Sequence, residues 1–299
     1  MSKFGTLVMG PAGAGKSTFC TALIQHLQTV RRSCFYVNLD PAAETFAYTP
    51  DLDIRELISL EDVMEEMSLG PNGGLIFCFE FLMQNLDWLS TSIDPLSEEY
   101  LIIFDLPGQI ELYTHIPLIP ELIRFLSNKG PLNISLCATY LLEATFVVDR
   151  AKFFAGTLSA MSAMIMMELP HVNILSKMDL VKGQINNAEL KRFVDPDANL
   201  IEDLDTGRSE VVGEEPLDAS NVSNSDQLMS GNSFQKLNRA VARLIDDFSM
   251  VSFLPLEAND EESVGDILSY IDNAIQYHEA QEPREPKEHD VDEPTWEEG

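Results

Sequence analysis

Basic residues are scarce in this chain: 19 Lys and Arg stand against 49 Asp and Glu, a formal charge of −30 over 299 residues. Displacing counterions from nucleic-acid phosphates needs clustered cations, so direct nucleic-acid binding is not expected. A bound nucleotide is a different matter, because a few local donors and a metal hold it inside an acidic protein. Cysteine is also rare, with four residues at positions 20, 34, 78 and 137 and no metal-ligand spacing among them. They read as small buried hydrophobes in a reducing compartment. The five histidines show no such spacing either and receive no role. Long apolar runs are missing as well. The longest charge-free one, Phe153–Met167, falls short of the ~18 residues that cross a bilayer. The run at Met1–Met9 is too short for a secretory signal. The expectation is a soluble, cytoplasmic protein with no membrane partner. Its apolar share of 45% is enough for a sizeable core.

What is present is an alternation of short apolar runs with longer helical patterns, the mark of βαβ units and a mostly parallel sheet. Strands are predicted at Thr6–Met9, Cys34–Leu39, Tyr100–Asp105, Leu136–Leu142, Val172–Ser176 and Val251–Pro255. Helices are predicted at Lys16–Thr29, Ile110–Ser127, Lys152–Glu168, Phe234–Phe248 and Glu261–Gln276. The uncharged, Met-rich helix carrying Met161, Met164, Met166 and Met167 is expected in the core. Residues 201–232, with eight acidic groups and one basic, read as a mobile surface loop. From Glu279 onward nine acidic residues form an expected disordered tail. The organisation expected is one α/β domain over residues 1–278, loop 201–232 included, and a tail over 279–299.

Gly10-Pro-Ala-Gly-Ala-Gly-Lys16-Ser17 fits G-x-x-x-x-G-K-[ST] without a mismatch. It follows a predicted strand and opens a predicted helix, the context such a loop requires. Backbone N–H groups of Gly13, Ala14 and Gly15 would curl around phosphate, helped by the helix N-terminus with Ser17 and Thr18. Lys16 would reach the β/γ-phosphates and Ser17 would ligate Mg²⁺. The pattern selects a nucleoside triphosphate without choosing its base.

The apolar strand ending in Asp105 places a carboxylate where Mg²⁺ is held through water. Asp105-Leu-Pro-Gly108 then forms D-x-x-G, whose Gly108 N–H would sense the γ-phosphate, and Gln109 stands where water is oriented. Asp40 ends another apolar strand, at the ligand edge of a parallel sheet, and would position water or support the metal. The lesser alternative is a turn-initiating Asp before Pro41. Ser176-Lys177-Met178-Asp179 fits a base-reading motif: Asp179 accepts two hydrogen bonds from guanine, and the Lys177 stem lies against the base. Ala258 would offer its N–H to guanine O6.

These pieces, together with Gly70-Pro71-Asn72, resemble the GPN-loop GTPases over roughly residues 4–200 and 233–278. The motifs carrying the resemblance are GPAGAGKST, NLDPAAE, DIREL, GPNGG, DLPGQIELYTH and SKMDL. Leu7–Cys20, Phe77–Leu89 and Glu285–Glu288 are closest to the third eukaryotic paralogue of that family. The resemblance implies a P-loop fold and a dimeric switch using GTP/GDP and Mg²⁺, with Asn72 acting on the facing subunit's nucleotide. It implies pairing with the first paralogue or with itself. It further implies work on RNA polymerase II assembly and nuclear import, with shuttling between cytoplasm and nucleus. Three departures stand out. Glu143 replaces the family's usual Asp and is assigned no polar role. Ser176 replaces Thr or Asn, which is expected to loosen the loop, and the 201–232 segment is long.

Two other readings remain open at this point. A P-loop kinase acting on a small acceptor would need an Arg-rich lid, which the sequence lacks. A non-hydrolysing GTP-bound scaffold would not need the complete set Lys16, Ser17, Asp105 and Gln109. The MinD-like ATPases carry a further lysine where this chain has Pro11.

Overall fold

The computed structural model describes residues 3–114, 116–182 and 251–281. Seven strands form one sheet: β1 (Lys3–Met9), β2 (Cys34–Asn38), β3 (Leu52–Asp53), β4 (Leu101–Asp105), β5 (Ile134–Glu143), β6 (His171–Ser176) and β7 (Phe253–Pro255). Their order is β3-β2-β4-β1-β5-β6-β7, and every pairing is parallel. The sheet is the mostly parallel one the sequence predicts, with β3 added at an edge and β1 and β5 beginning earlier.

Parallel strands need crossovers, and these put helices on both faces and apolar residues on both sides of each strand. Strand period two divides the core accordingly. Leu7 and Met9 face a cluster with Val37, Phe104, Tyr140 and Leu142. Phe4 and Val8 face the other way, with Tyr36, Ile103 and Leu141. Over the second face lie α1 (Lys16–Thr29) and α8 (Glu261–Ala274). Over the first lie α3 (Pro71–Gln84), α4 (Asp87–Ile93), α5 (Glu111–Thr114), α6 (Leu118–Leu126) and α7 (Arg150–Met167), with α2 (Leu60–Met67) packed against α3.

The last described element, α9 (Tyr277–Gln281), closes against the first strand. The Phe4 and Tyr277 rings meet edge-on at 5.1 Å. Arg32 stacks over Tyr277, 3.6 Å from its centroid, and pairs with Asp272 at 2.7 Å.

Several expectations need correction. The single helix expected over 110–127 is two, α5 and α6. Pro117 lacks an N–H and biases Ile116 away from helical backbone, so a fresh helix starts after it. The expected helix 261–276 stops at Ala274, and Gln276 takes a positive φ of 58° before α9. The Met-rich helix is only partly core: Met161 and Met167 are buried, whereas Met166 is 40% exposed. The helices α2 to α4 were not anticipated. Three of the cysteines, Cys20, Cys78 and Cys137, are buried, and all four are free. The tail expected to be disordered from Glu279 instead begins inside a helix, since Glu279–Gln281 belong to α9. Its remainder, the helix expected at Phe234–Phe248 and the acidic 201–232 segment lie outside the described residues.

Candidate nucleotide site

β1 runs out at Met9 and the chain must turn sharply to enter α1. Gly10, Gly13 and Gly15 take φ values of +138°, +79° and +85°, which side-chain-bearing residues rarely adopt. Gly15 is the N-cap of α1, so the loop ends at a helix N-terminus with its free N–H groups. Ala14 N–H closes the turn onto the Pro11 carbonyl at 3.2 Å. Lys16 is buried, and its ammonium donates to the Gly10 and Pro11 carbonyls at 3.2 and 3.3 Å. Burial pulls its pKa down, opposed by the nearby Asp105 and Asp40 charges. The side chains of Ser17 and Thr18 belong to exposed residues on the first turn.

Sheet register brings the acidic residues beside this loop. Asp53 is level with Asn38, Asn38 with Asp105, and Asp105 with Val8, across four neighbouring strands. Asp105 Oδ2 accepts from Ser17 Oγ at 2.9 Å and from Tyr36 Oη at 3.1 Å. Its other oxygen, Oδ1, is buried and has no hydrogen-bond partner. Burial pushes the Asp105 carboxyl up to about 6, although Ser17, Lys16 and Tyr36 favour its charged form. A carboxylate oxygen without a donor, beside a hydroxyl, is a hard-oxygen pair suited to Mg²⁺. Among the described residues no cluster of three or more His, Cys, Asp or Glu is arranged to hold a metal. One carboxylate and one hydroxyl suit an ion whose remaining ligands are water and phosphate.

Asp40 sits above this pair at the end of β2, and burial raises its carboxyl pKa. Its backbone is clamped by Asn38: Asp40 N–H donates to Asn38 Oδ1 at 3.0 Å, and Asn38 Nδ2 donates to the Asp40 carbonyl at 3.1 Å. Asn38 Nδ2 also donates to Asp53 Oδ1 at 2.8 Å. Arg55 in turn pairs with Asp53 at 2.6 Å and donates to the Ala43 carbonyl at 2.8 Å. The NLDPAAE and DIREL motifs are thus one network around the Asp40 turn.

On the other side of the loop, Ser176 ends β6. Its hydroxyl donates to the Ala14 carbonyl at 2.6 Å and approaches the Leu142 carbonyl at 3.3 Å. The loosening expected from Ser in place of Thr or Asn is not found, because the hydroxyl alone reaches the phosphate loop. Lys177 has a left-handed φ of 57°, and a Cβ on Gly15 would lie 3.8 Å from its Cε. Met178 N–H donates to the Leu256 carbonyl at 3.2 Å, which brings half-buried Ala258 into the same region as exposed Asp179.

The model of a family described as "Conserved hypothetical ATP binding protein" matches residues 8–277. A protein of Aspergillus fumigatus named GPN-loop GTPase 3 is 72% identical over 293 residues, 98% of each chain. Its Saccharomyces cerevisiae namesake is 55% identical over 294 residues, covering 98% of this chain and all of that one. The chain belongs to the GPN-loop GTPases. The crystal structure of a GTPase in apo form from Pyrococcus abyssi shares the fold, with a TM-score of 0.65 at 22% identity. It covers 91% of this chain and 97% of its own.

The tripeptide that gives the GPN-loop GTPases their name is a helix start here. Gly70 is the N-cap of α3 and Pro71 its first residue, where a missing N–H costs nothing. Asn72 therefore projects from the first turn, and its Oδ1 accepts from Gln109 Nε2 of the same chain at 3.0 Å. Gly108, just before, lies tight against the phosphate loop. A Cβ there would be 2.8 Å from Ala12 Cα and 3.0 Å from Lys16 Nζ. Tyr113 Oη donates to the Pro107 carbonyl and holds this turn from below.

Sequence reasoning missed Tyr36, Asn38, Asp53 and Arg55 as parts of this GPN-loop GTPase site. Period two along β2 carried a signal, since Tyr36 and Asn38 share strand parity with Asp40. It also assigned Glu143 nothing, whereas Glu143 pairs with Lys177 at 3.2 Å.

Proposed function

We propose that this chain binds a guanine nucleotide with Mg²⁺ at the C-terminal edge of its sheet and hydrolyses GTP. The observation carrying this reading is the 2.6 Å hydrogen bond from Ser176 Oγ to the Ala14 carbonyl. It joins the loop suited to phosphate and the loop suited to a base into one rigid cradle. The family's description mentions ATP, whereas its relatives are named GTPases. Guanine is favoured by chemistry: an exposed carboxylate at Asp179 accepts from N1–H and N2–H₂, a donor pair adenine lacks.

In this reading the N–H groups of Gly13, Ala14 and Gly15 and the Lys16 ammonium hold the phosphates. Ser17 and Asp105 hold Mg²⁺, which neutralises phosphate charge when bound. Gln109 orients the attacking water, with its amide fixed by Asn72. Asp40, whose affinity for a proton is raised by burial, accepts a hydrogen bond or proton from that water. Asp179→Asn is expected to weaken GTP and improve xanthosine triphosphate, a shift on the order of 1.5–3 kcal/mol. Competition binding with ATP, GTP and xanthosine triphosphate reads it. Equal affinity of the unmutated protein for ATP and GTP sinks the guanine assignment.

We further propose a dimer facing across this edge, in which Asn72 also reaches the partner's nucleotide. Exposed apolar side chains support it: Met67 precedes the GPN tripeptide, Ile110 follows Gln109, Val148 follows β5 and Leu180 follows Asp179. Light scattering in GDP and in a non-hydrolysable GTP analogue is expected to give a larger mass with the analogue. Mass independent of nucleotide removes the switch from this proposal. Assembly and nuclear import of RNA polymerase II, with the first paralogue as partner, complete the proposed cellular role on the strength of the motifs.

A further inference from the structure

The ends of β5 and β6 lie side by side, with Glu143 in register with Ser176. Glu143 Oε2 accepts from the Lys177 ammonium at 3.2 Å, and Oε1 accepts from Thr145 Oγ1 at 2.8 Å. Lys177 is therefore fixed at three levels. Its backbone is held in a left-handed turn, its stem passes over Gly15, and its head is tied to Glu143.

A free lysine would sample many rotamers and block or leave the space beside the loop. Tied back, its stem becomes a flat apolar wall next to the phosphate loop, with the charge directed away from a base lying on it. The two side chains are 36% and 25% exposed, so solvent screens the pair and its share in holding the fold is small. Its effect falls on where the lysine lies.

We propose that Glu143 is a positioning residue for base recognition, holding Lys177 as the wall against which the purine packs. The inference rests on the reading of Ser176–Asp179 as the base-binding loop. It gives a role to the Glu that stands where the family usually has Asp, and to Thr145, which orients it.

The test uses the full-length protein with Mg²⁺ and compares Glu143→Gln with Glu143→Asp. The readouts are release of a fluorescent GDP analogue, GTP-against-ATP competition, and the thermal midpoint without nucleotide. Glu143→Gln keeps the shape and removes the charge. It is expected to release GDP about tenfold faster, the size of one charge-assisted hydrogen bond, while the GTP-over-ATP preference set by Asp179 stays, because the wall supports either purine. The nucleotide-free midpoint should stay within about 2 °C. Glu143→Asp keeps the charge and should recover most of the slow release. Release within about twofold of the unmutated protein, or equal acceleration by Gln and Asp, overturns the proposal. Failure of the guanine reading itself is separable. It appears as absent GTP preference in the unmutated protein, while the release rates still judge Glu143.

Discussion

Asn in place of Asp105 is expected to stabilise the metal-free protein at neutral pH while lowering GTP hydrolysis about a thousandfold. The two effects share one cause. Burial pushes the Asp105 carboxyl up to about 6 from an ordinary 3.8. A carboxyl whose folded-state pKa is raised costs stability once it ionises in the fold. Below about pH 4 both states are protonated and the cost is nil. Between about 4 and 6 the unfolded chain ionises first, and above 6 the full cost applies, at most about 3 kcal/mol. Asn removes that cost and keeps an acceptor for Ser17 and Tyr36. Its amide N–H₂ at the Oδ1 position lacks a partner and offsets part of the gain, leaving on the order of 1 kcal/mol. Thermal melts with a chelator at pH 7.5 should therefore show a rise of about 2–4 °C that shrinks towards pH 4.5. A lower midpoint at pH 7.5 would show that the carboxylate is not strained by its surroundings. Hydrolysis falls because the ion loses its protein carboxylate, a loss of several kcal/mol at the transition state.

A large structural penalty is expected at Gly10. Its φ is +138°, and a Cβ there would lie 2.3 Å from the Leu141 carbonyl oxygen. That oxygen belongs to β5, paired with β1 in the middle of the sheet, so no side-chain rotation relieves the clash. Backbone strain alone costs about 1–3 kcal/mol, and displacing a central strand adds to it. Gly10→Ala should lose more than about 3 kcal/mol in urea unfolding or fail to accumulate as folded protein. Gly13→Ala is the control from the same loop. Nothing lies within 4 Å of its Cβ, and its φ of +79° costs only about 1–2 kcal/mol. Similar stabilities for the two variants would refute the assignment of Gly10 to strand contact.

The site motifs were legible because each stands at the end of an apolar run, and in a parallel sheet all such ends share one edge. Gly10, Asp40, Asp105 and Ser176 therefore converge without any long-range information. Pairs made across register were not legible. Glu143 and Lys177 are 34 positions apart, and only the alignment of β5 with β6 puts them together. Tyr36 lies inside a predicted strand, and the partner of its hydroxyl, Asp105, depends on β2 lying beside β4. The α2–α4 segment escaped because α3 is almost wholly apolar, with no polar face to mark a helical period. Gly70 and Pro71 are as common in turns as at a helix start, which is what they form here. Two-residue β3 is too short to carry any period at all.

The contact between Phe4 and Tyr277 has a consequence for how the chain is made. β1 leaves the ribosome first, yet it is the central strand, and its neighbours β4 and β5 follow only at Leu101 and Ile134. Its outer cover, α8 and α9, follows only at Glu261–Gln281. At about 5–20 residues per second, synthesis from Met9 to Tyr277 takes roughly 13–54 s. Until Glu143 has been made, at least one edge of this central strand lacks its native partner, and through the whole interval its Phe4 ring lacks Tyr277. The Phe4 face of β1 thus gains its full native cover only after α8 and α9 have been made, long after the strand itself.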